Sequence, residues 1–388
     1  MMNNFIYSIP TTICFGKGQV DKLPAAIKEY GDKVLLVYGG GSIKRSGLYD
    51  TIVSQFQQNG IDWVELSGVD PNPRIASVRK GVELCREHKV SVVLAVGGGS
   101  SIDCAKVIAG GVSYDGDAWD LVTGKAKYTS ALPVFSVLTL SATGSEMDDT
   151  AVITNPETKE KLGTGNPLLL PKCSILDPTY TFTVSQRQTA AGTADIISHI
   201  FEVYFSPVKT AYLQDRMAEA MLKTCMHYGP IAIAEPDNYE ARANLMWTSS
   251  LAINGLLSLG KGNAWTVHPI QHELGAYYDI THGEGLAILT PAWMREVLSE
   301  DTLDKFVEYG VNVFDIDKSL PKQQIAELAI QKTQDFFVNG LGIPATLREL
   351  GVEDTYFEEM AARVAPRLKT AFVPLTAEQI VSIYRACY

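Results

Sequence analysis

The sequence predicts a chain of two halves, an α/β half built on a parallel sheet followed by an all-helical half. Three observations carry this expectation. The chain has 388 residues, more than one ordinary core accommodates, so two domains are expected. Its first part alternates short, nearly unbroken apolar runs with helical stretches, the pattern of parallel strands covered on both faces. After about residue 183 the strand-like runs stop and helical periodicity takes over, which sets the expected domains at 1–183 and 184–388.

Lys33 to Tyr38 is the first clear strand, and it runs into Gly39, Gly40, Gly41 and Ser42. Ile61 to Leu66 follows a helical stretch and ends before the turn-forming Asp70-Pro71-Asn72-Pro73. Val90 to Val96 enters Gly97, Gly98, Gly99 and Ser100. Val134 to Leu138 leads into a hydroxyl-rich loop, Thr139 to Glu146, and Cys173 to Leu176 completes the set. In the second half, Ser185 to Gln188 fits a capping box. Helices are expected over Gln214 to Tyr228, Tyr239 to Leu257 and Lys322 to Val338, and Thr376-Ala377-Glu378-Gln379 opens a last one. No internal repeat or low-complexity tract interrupts the chain. A substrate site is expected between the halves, where enzyme pockets commonly form.

Composition excludes several classes. Thirty-three basic and forty-four acidic residues give a net charge of −11, which opposes nucleic-acid backbones and anionic membrane surfaces. The start, Met1 to Ser8, lacks the pattern of a signal peptide. The longest apolar runs fall far short of the roughly 20 residues that span a bilayer. Six scattered cysteines with no CxxC pair read as buried thiols of a reducing compartment, so a cytoplasmic location is expected.

Four of the six histidines fall between positions 199 and 282. Asp195 and His199 stand four apart on an expected helix and project from one face. His268 and His272 repeat that spacing on another helix, and His282 follows in the loop-like stretch Asp279 to Gly285. One carboxylate and three imidazoles suit a first-row divalent ion with a position left for a substrate oxygen. A single histidine on a helix is ordinarily a hydrogen-bonded core or surface residue; the clustering is what points to a metal. Spacing does not say which three of the four histidines bind. His88 and His227, isolated in polar stretches, read as ordinary.

The glycine loops point to a nucleotide. At Gly97 to Ser100 a strand passes through three glycines into a helix start. There phosphate oxygens can approach the backbone and meet N–H donors at the positive end of the helix dipole. The G-x-G-x-x-G spacing is absent, so a plain strand-to-helix turn is the competing reading. The hydroxyls of Thr139 to Glu146 suit a pyrophosphate or a ribose. An enzyme preferring NAD usually places a carboxylate after an early strand to hold the ribose 2′-hydroxyl. Gly39 to Arg45 contains none, only Ser42 and the cations Lys44 and Arg45, which favours NADP(H) over NAD(H).

Together these segments resemble the iron-containing (group III) alcohol dehydrogenases, and within them the NADPH-dependent butanol dehydrogenase and aldehyde reductase branch. The likeness spans essentially the whole chain, from Phe15-Gly16-Lys17-Gly18 through Tyr38 to Lys44 and Pro71-Asn72-Pro73-Arg74 to the last helix. Its most specific parts are Gly97 to Ser100, Ala142-Thr143-Gly144-Ser145-Glu146, Ala194 to His199, and His268 to His282. The resemblance implies a dehydroquinate synthase-like fold, with an N-terminal nucleotide-binding α/β domain and a C-terminal helical metal-binding domain. It implies Asp195, His199, His268 and His282 as ligands of Fe2+, with Zn2+ the stronger competitor by intrinsic affinity. His272 matches a catalytic histidine near substrate and nicotinamide that is not a regular ligand. Gly39, Gly40 and Ser42 match the surroundings of the adenosine 2′-phosphate. Gly98, Gly99, Ser100 and Asp103 match the pyrophosphate and nicotinamide region, and Thr139, Thr143, Ser145, Asp148, Lys161 and Tyr180 match further cofactor-lining positions.

Three departures bear on this. Asp148 stands where close relatives often carry Asn, Gln271 replaces a common Glu beside His272, and the loop Gly260-Lys261-Gly262-Asn263-Ala264 differs from commoner versions. The implied reaction is hydride transfer between NADPH and a small linear aldehyde such as butanal, with the metal as Lewis acid. A homodimer is implied by the fold alone. A lyase on the same fold would need a basic pocket for a phosphorylated sugar acid, and no Lys/Arg cluster lies beside His268 to His282. A non-catalytic binding protein is argued against by the complete ligand set, the glycine loop and His272.

Overall fold

Among the described residues eight strands form in chain order: β1 Thr12–Phe15, β2 Lys33–Tyr38, β3 Asp62–Leu66, β4 Val92–Gly97, β5 Val134–Leu138, β6 Thr150–Asn155, β7 Glu160–Gly165 and β8 Cys173–Leu176. The computed structural model describes residues 2–262 and 264–388; Met1, and Asn263 of the loop singled out above, lie outside them. Six strands make one parallel sheet in the order β1-β8-β5-β4-β2-β3. Their apolar residues serve both faces. Val34, Leu36 and Tyr38 of β2 pack with Ile52 and Phe56 on one side, while Leu35 and Val37 pack with Ile102 and Ile108 on the other. That double burial is why these strands read as unbroken apolar runs.

The strand order has a functional consequence. From β2 the chain moves outward to β3, then returns to place β4 on the other side of β2. The sheet therefore reverses direction between β2 and β4, and ligands of such sheets bind beyond the carboxyl ends of the strands at that point. Gly39 to Ser42 leaves the end of β2, and Gly98 to Ser100 leaves the end of β4, which is paired in register at Tyr38 and Val96. β5 lies next to β4, and the Thr139 amide donates to the Gly97 carbonyl at 3.0 Å.

The chain forms two compact units that are not simply its two halves. One comprises Ser8–Val184 with Pro236–Asn254; the other comprises the N-terminal residues through Tyr7 with Ser185–Glu235 and Gly255–Tyr388. The helix Tyr239–Ile253, expected in the second half, thus joins the sheet unit. Its Met246 is fully buried in the core shared by Ala151, Ile153 and Leu176. Its Ser250 donates to Glu146 at 2.5 Å. The hairpin of β6 and β7 had no counterpart in the sequence reading, because β7 is polar and half-exposed and shows no apolar run.

Among the described residues, no strand follows Leu176. Ser185 caps the helix Gln186–Tyr204 by accepting from the Gln188 amide at 3.3 Å, and Thr376 and Gln379 form the full box before Ala377–Ala386. No described helix is long and apolar enough to cross a membrane. All six cysteines are free thiols, and Cys14 and Cys173 approach to 3.9 Å.

Glu146 is fully buried, and burial raises its carboxyl to about 7 despite the Ser250 hydrogen bond. The folded state therefore keeps a proton that the unfolded chain releases near its ordinary value of 4.5. The associated stability is complete below that ordinary value and is lost as pH rises through about 7. Glu146→Gln is expected to flatten the fall in Tm between about pH 5 and pH 8 and to raise Tm at pH 8. Thermal unfolding of both proteins across that range checks this; parallel curves would refute it.

Candidate metal centre and nucleotide loops

The metal candidates are brought together by three helices of the second unit. Asp195 and His199 lie one turn apart on Gln186–Tyr204, His268 sits in the first turn of Val267–Tyr278, and His282 is the first residue of His282–Val297. His282 is thus a helix start and not part of a loop. The Asp195 Oδ1 atom lies 3.7 Å from His199 Nε2, 3.6 Å from His268 Nε2 and 3.6 Å from His282 Nε2. The donor atoms of Asp195, His268 and His282 all lie within 4.8 Å of one another, and His199 joins this trio through the shared carboxylate oxygen. The three separations that meet at Asp195 Oδ1, 3.6–3.7 Å, are of the size found between neighbouring ligand atoms of one metal ion, while His199 lies outside the tighter trio.

The surroundings fit a cation. Asp195, His199 and His268 are buried, and His268 Nε2 has no hydrogen-bond partner among the described residues. Burial opposes charging of the His268 ring, yet Asp195 and Glu202 outweigh it and raise its pKa above the ordinary value. The same negative field favours a bound metal ion. His268 Nδ1 donates to Glu202 Oε1 at 2.9 Å, which leaves Nε2 as the free lone pair. Glu202 is held by the amides of His268 at 2.8 Å and Thr266 at 2.6 Å. His282 Nδ1 makes the corresponding bond to Gln271 Oε1. The ring of His199 stacks on His268 at 4.6 Å, and Trp265 stands edge-on to both. His272 is partly exposed, its ring 6.4 Å from His268 and 5.5 Å from His282.

Backbone packing places His282. A Cβ on Gly283 would lie 1.9 Å from the Ala191 carbonyl oxygen, so only glycine lets this helix start lie against the Asp195 helix. Arg187 fixes the same approach by a paired contact to Glu284, at 2.5 and 2.7 Å. Sequence reasoning missed Glu202. It follows Asp195 by seven residues and His199 by three, on one helical stripe, and that spacing was the available signal.

The nucleotide candidates gather in the sheet unit. Gly98 precedes the helix Gly99–Gly111, and a Cβ on Gly99 would meet the Thr143 hydroxyl at 2.2 Å. Ser100 donates to the Pro71 carbonyl. Asp103 accepts from Ser145 at 2.6 Å and from the Val152 amide at 2.8 Å, and burial raises its carboxyl to about 6. Thr143 accepts from the Ser145 amide at 3.2 Å. Lys161 donates to Asn72 at 2.8 Å, and Tyr180 packs half-buried against the sheet core. Asp148 has an internal partner: Lys106, fully buried, donates to it at 2.5 Å, and Thr150 donates from both amide and hydroxyl. Gly39, Gly40 and Ser42 follow the end of β2, and beside that strand end stands a carboxylate that the linear sequence hides. Glu65 of β3 accepts from Tyr38 and Tyr49 and lies 3.5 Å from Lys44.

A parallel α/β unit with glycine loops at its switch point, joined in one chain to a helical unit bearing a buried Asp/His set, is the make-up of a metal-dependent dehydrogenase. The family described as iron-containing alcohol dehydrogenase matches residues 10–178, and the C-terminal part of the same family matches residues 189–388. The chain belongs to the iron-containing alcohol dehydrogenase family. It is 58% identical over 390 residues to NADH-dependent butanol dehydrogenase A of Clostridium acetobutylicum, covering 100% of each. It is 39% identical over 356 residues to the NADPH-dependent aldehyde reductase YqhD of Escherichia coli, covering 91% of this chain and 90% of that one. The crystal structure of NADH-dependent butanol dehydrogenase A from Thermotoga maritima superposes with a TM-score of 0.94 at 39% identity, covering 100% of this chain and 99% of that one.

Gly283→Ala is expected to cost about 1–3 kcal/mol through overpacking and to displace His282. Thermal unfolding together with the metal content of the purified variant checks this. A variant matching the parent in both would refute the packing argument.

Proposed function

We propose that the protein is a metal-dependent NAD(P)H alcohol dehydrogenase that works as a reductase of small linear aldehydes such as butanal. The observation that supports this most strongly is one buried carboxylate oxygen within 3.7 Å of three imidazole nitrogens. Asp195, His199, His268 and His282 would hold a divalent ion, Fe2+ on family grounds, with Zn2+ the stronger competitor by intrinsic affinity. When bound, such an ion supplies Lewis acidity towards a carbonyl. The Glu202 carboxylate holds His268 in the donor tautomer, and Gln271 with Oε1 towards His282 favours the same for that ring. His272, beside the set and partly exposed, is assigned the transfer of a proton to the product oxygen.

For the cofactor, Gly39, Gly40 and Ser42 are assigned to the adenosine ribose. Gly98, Gly99, Ser100 and Asp103 are assigned to the pyrophosphate and nicotinamide, and Thr139, Thr143, Ser145, Asp148, Lys161 and Tyr180 to the remaining lining. No atom lies within 4 Å of a Cβ built on Gly40, so the loop has room for a 2′-phosphate, and Lys44 and Arg45 bring positive charge. Glu65 is engaged by two tyrosines. The proposal is that NADPH is accepted, with NADH as the alternative indicated by the names of the 58% identical relatives.

The test is consumption of NADPH and of NADH with butanal, by chelator-stripped protein and by the same sample reloaded with Fe(II). Activity that disappears and returns supports the assignment; activity indifferent to stripping overturns the metal role, and turnover with NADH alone overturns the NADPH proposal. His268→Ala is expected to lose metal and activity together. His272→Ala is expected to retain metal and turn over about 10²–10⁴-fold more slowly, the usual worth of a general acid. Loss of metal from His272→Ala would make that residue a ligand.

A further inference from the structure

The two inner imidazoles with visible partners are supported differently. His268 Nδ1 faces a carboxylate, Glu202, whereas His282 Nδ1 faces an amide, Gln271. Gln271 is fully buried, and its Nε2 has no hydrogen-bond partner among the described residues. It is also clamped: a Cβ on Gly285 would lie 2.9 Å from its Cγ and 3.0 Å from its Nε2. Burying an unpaired amide donor costs free energy, and a carboxylate in this place would have no donor to strand.

An amide can face an imidazole in two ways. With Oε1 towards His282, Nδ1 carries the proton and Nε2 offers its lone pair. With Nε2 towards His282, Nδ1 must accept, and the proton moves to His282 Nε2, where it blocks coordination. A carboxylate permits only the first arrangement. We propose that Gln271 is a positioning residue of the metal centre, an uncharged and reversible clamp on the His282 tautomer that weakens metal retention and preserves Lewis acidity. The inference rests on the metal reading proposed above. The inner and outer acids of the site are then Asp195 and Glu202, and the amide avoids adding a third negative charge beside the ion.

The experiment measures Zn(II) affinity of the full chain by competition with a chromophoric chelator, for the parent, Gln271→Glu and Gln271→Leu. Gln271→Glu is expected to bind Zn(II) about 10-fold more tightly and, reloaded with Fe(II), to turn over more slowly at saturating butanal. Gln271→Leu, which cannot accept, is expected to bind about 10–100-fold more weakly. Thermal unfolding of the stripped proteins separates a tautomer effect from a folding defect. The isosteric Gln271→Glu keeps the test decisive where Gln271→Leu does not fold. Tighter binding with slower turnover supports the inference, since a merely structural role would move neither in that direction. Equal or weaker binding by a folded Gln271→Glu overturns it. A parent protein that binds no Zn(II) overturns instead the metal reading on which the inference stands.

Discussion

The second unit is organised around the Asp195 carboxylate. Three imidazoles converge on one of its oxygens from three helices, in surroundings that solvent barely reaches. A buried carboxylate is costly unless positive charge or strong donors compensate it. The contacts around it follow from that constraint. Glu202 turns the His268 lone pair inward, the Oε1 of Gln271 faces His282 Nδ1, and Gly283 allows the two helices to touch. A divalent cation, as proposed above for this cluster, would supply such compensation.

The sheet unit is built differently, around the loops assigned above to the nucleotide. It places backbone amides, hydroxyls and small residues at the carboxyl ends of β2, β4 and β5, where the sheet reverses its winding. Internal bonds tie this platform together. Asp103 ties the Ser145 loop and the hairpin to the helix behind the glycines, and the buried Lys106–Asp148 pair adds a second anchor. Glu146 contributes an acid kept near its protonated form, bridging the loop to the helix Tyr239–Ile253.

Much of this could be read from the linear chain, for reasons that are local. Strands buried on both faces must be apolar throughout, so β2, β4, β5 and β8 announced themselves. Ligands four apart on a helix share a face, so the Asp195–His199 pair needed no fold to be noticed. The polar strand β7 and the transfer of helix Tyr239–Ile253 to the sheet unit were not legible, because neither leaves a periodic signal of its own. Glu65 escaped notice at the β2 loop because β3 delivers it sideways, through strand pairing, from 20 or more positions away.

The sequence by itself determined the α/β-then-helical make-up, the strands β2, β3, β4, β5 and β8, the caps at Ser185 and Thr376, and the supply of candidate ligands and glycine loops. These depend on periodicity and on residue chemistry within one turn or one strand. Tertiary structure alone decided which histidine nitrogens meet the Asp195 oxygen, which partners fix their tautomers, and that Asp148 pairs with Lys106. Such pairings join residues tens of positions apart, and their distances are set by helix packing and sheet register, which no local pattern encodes.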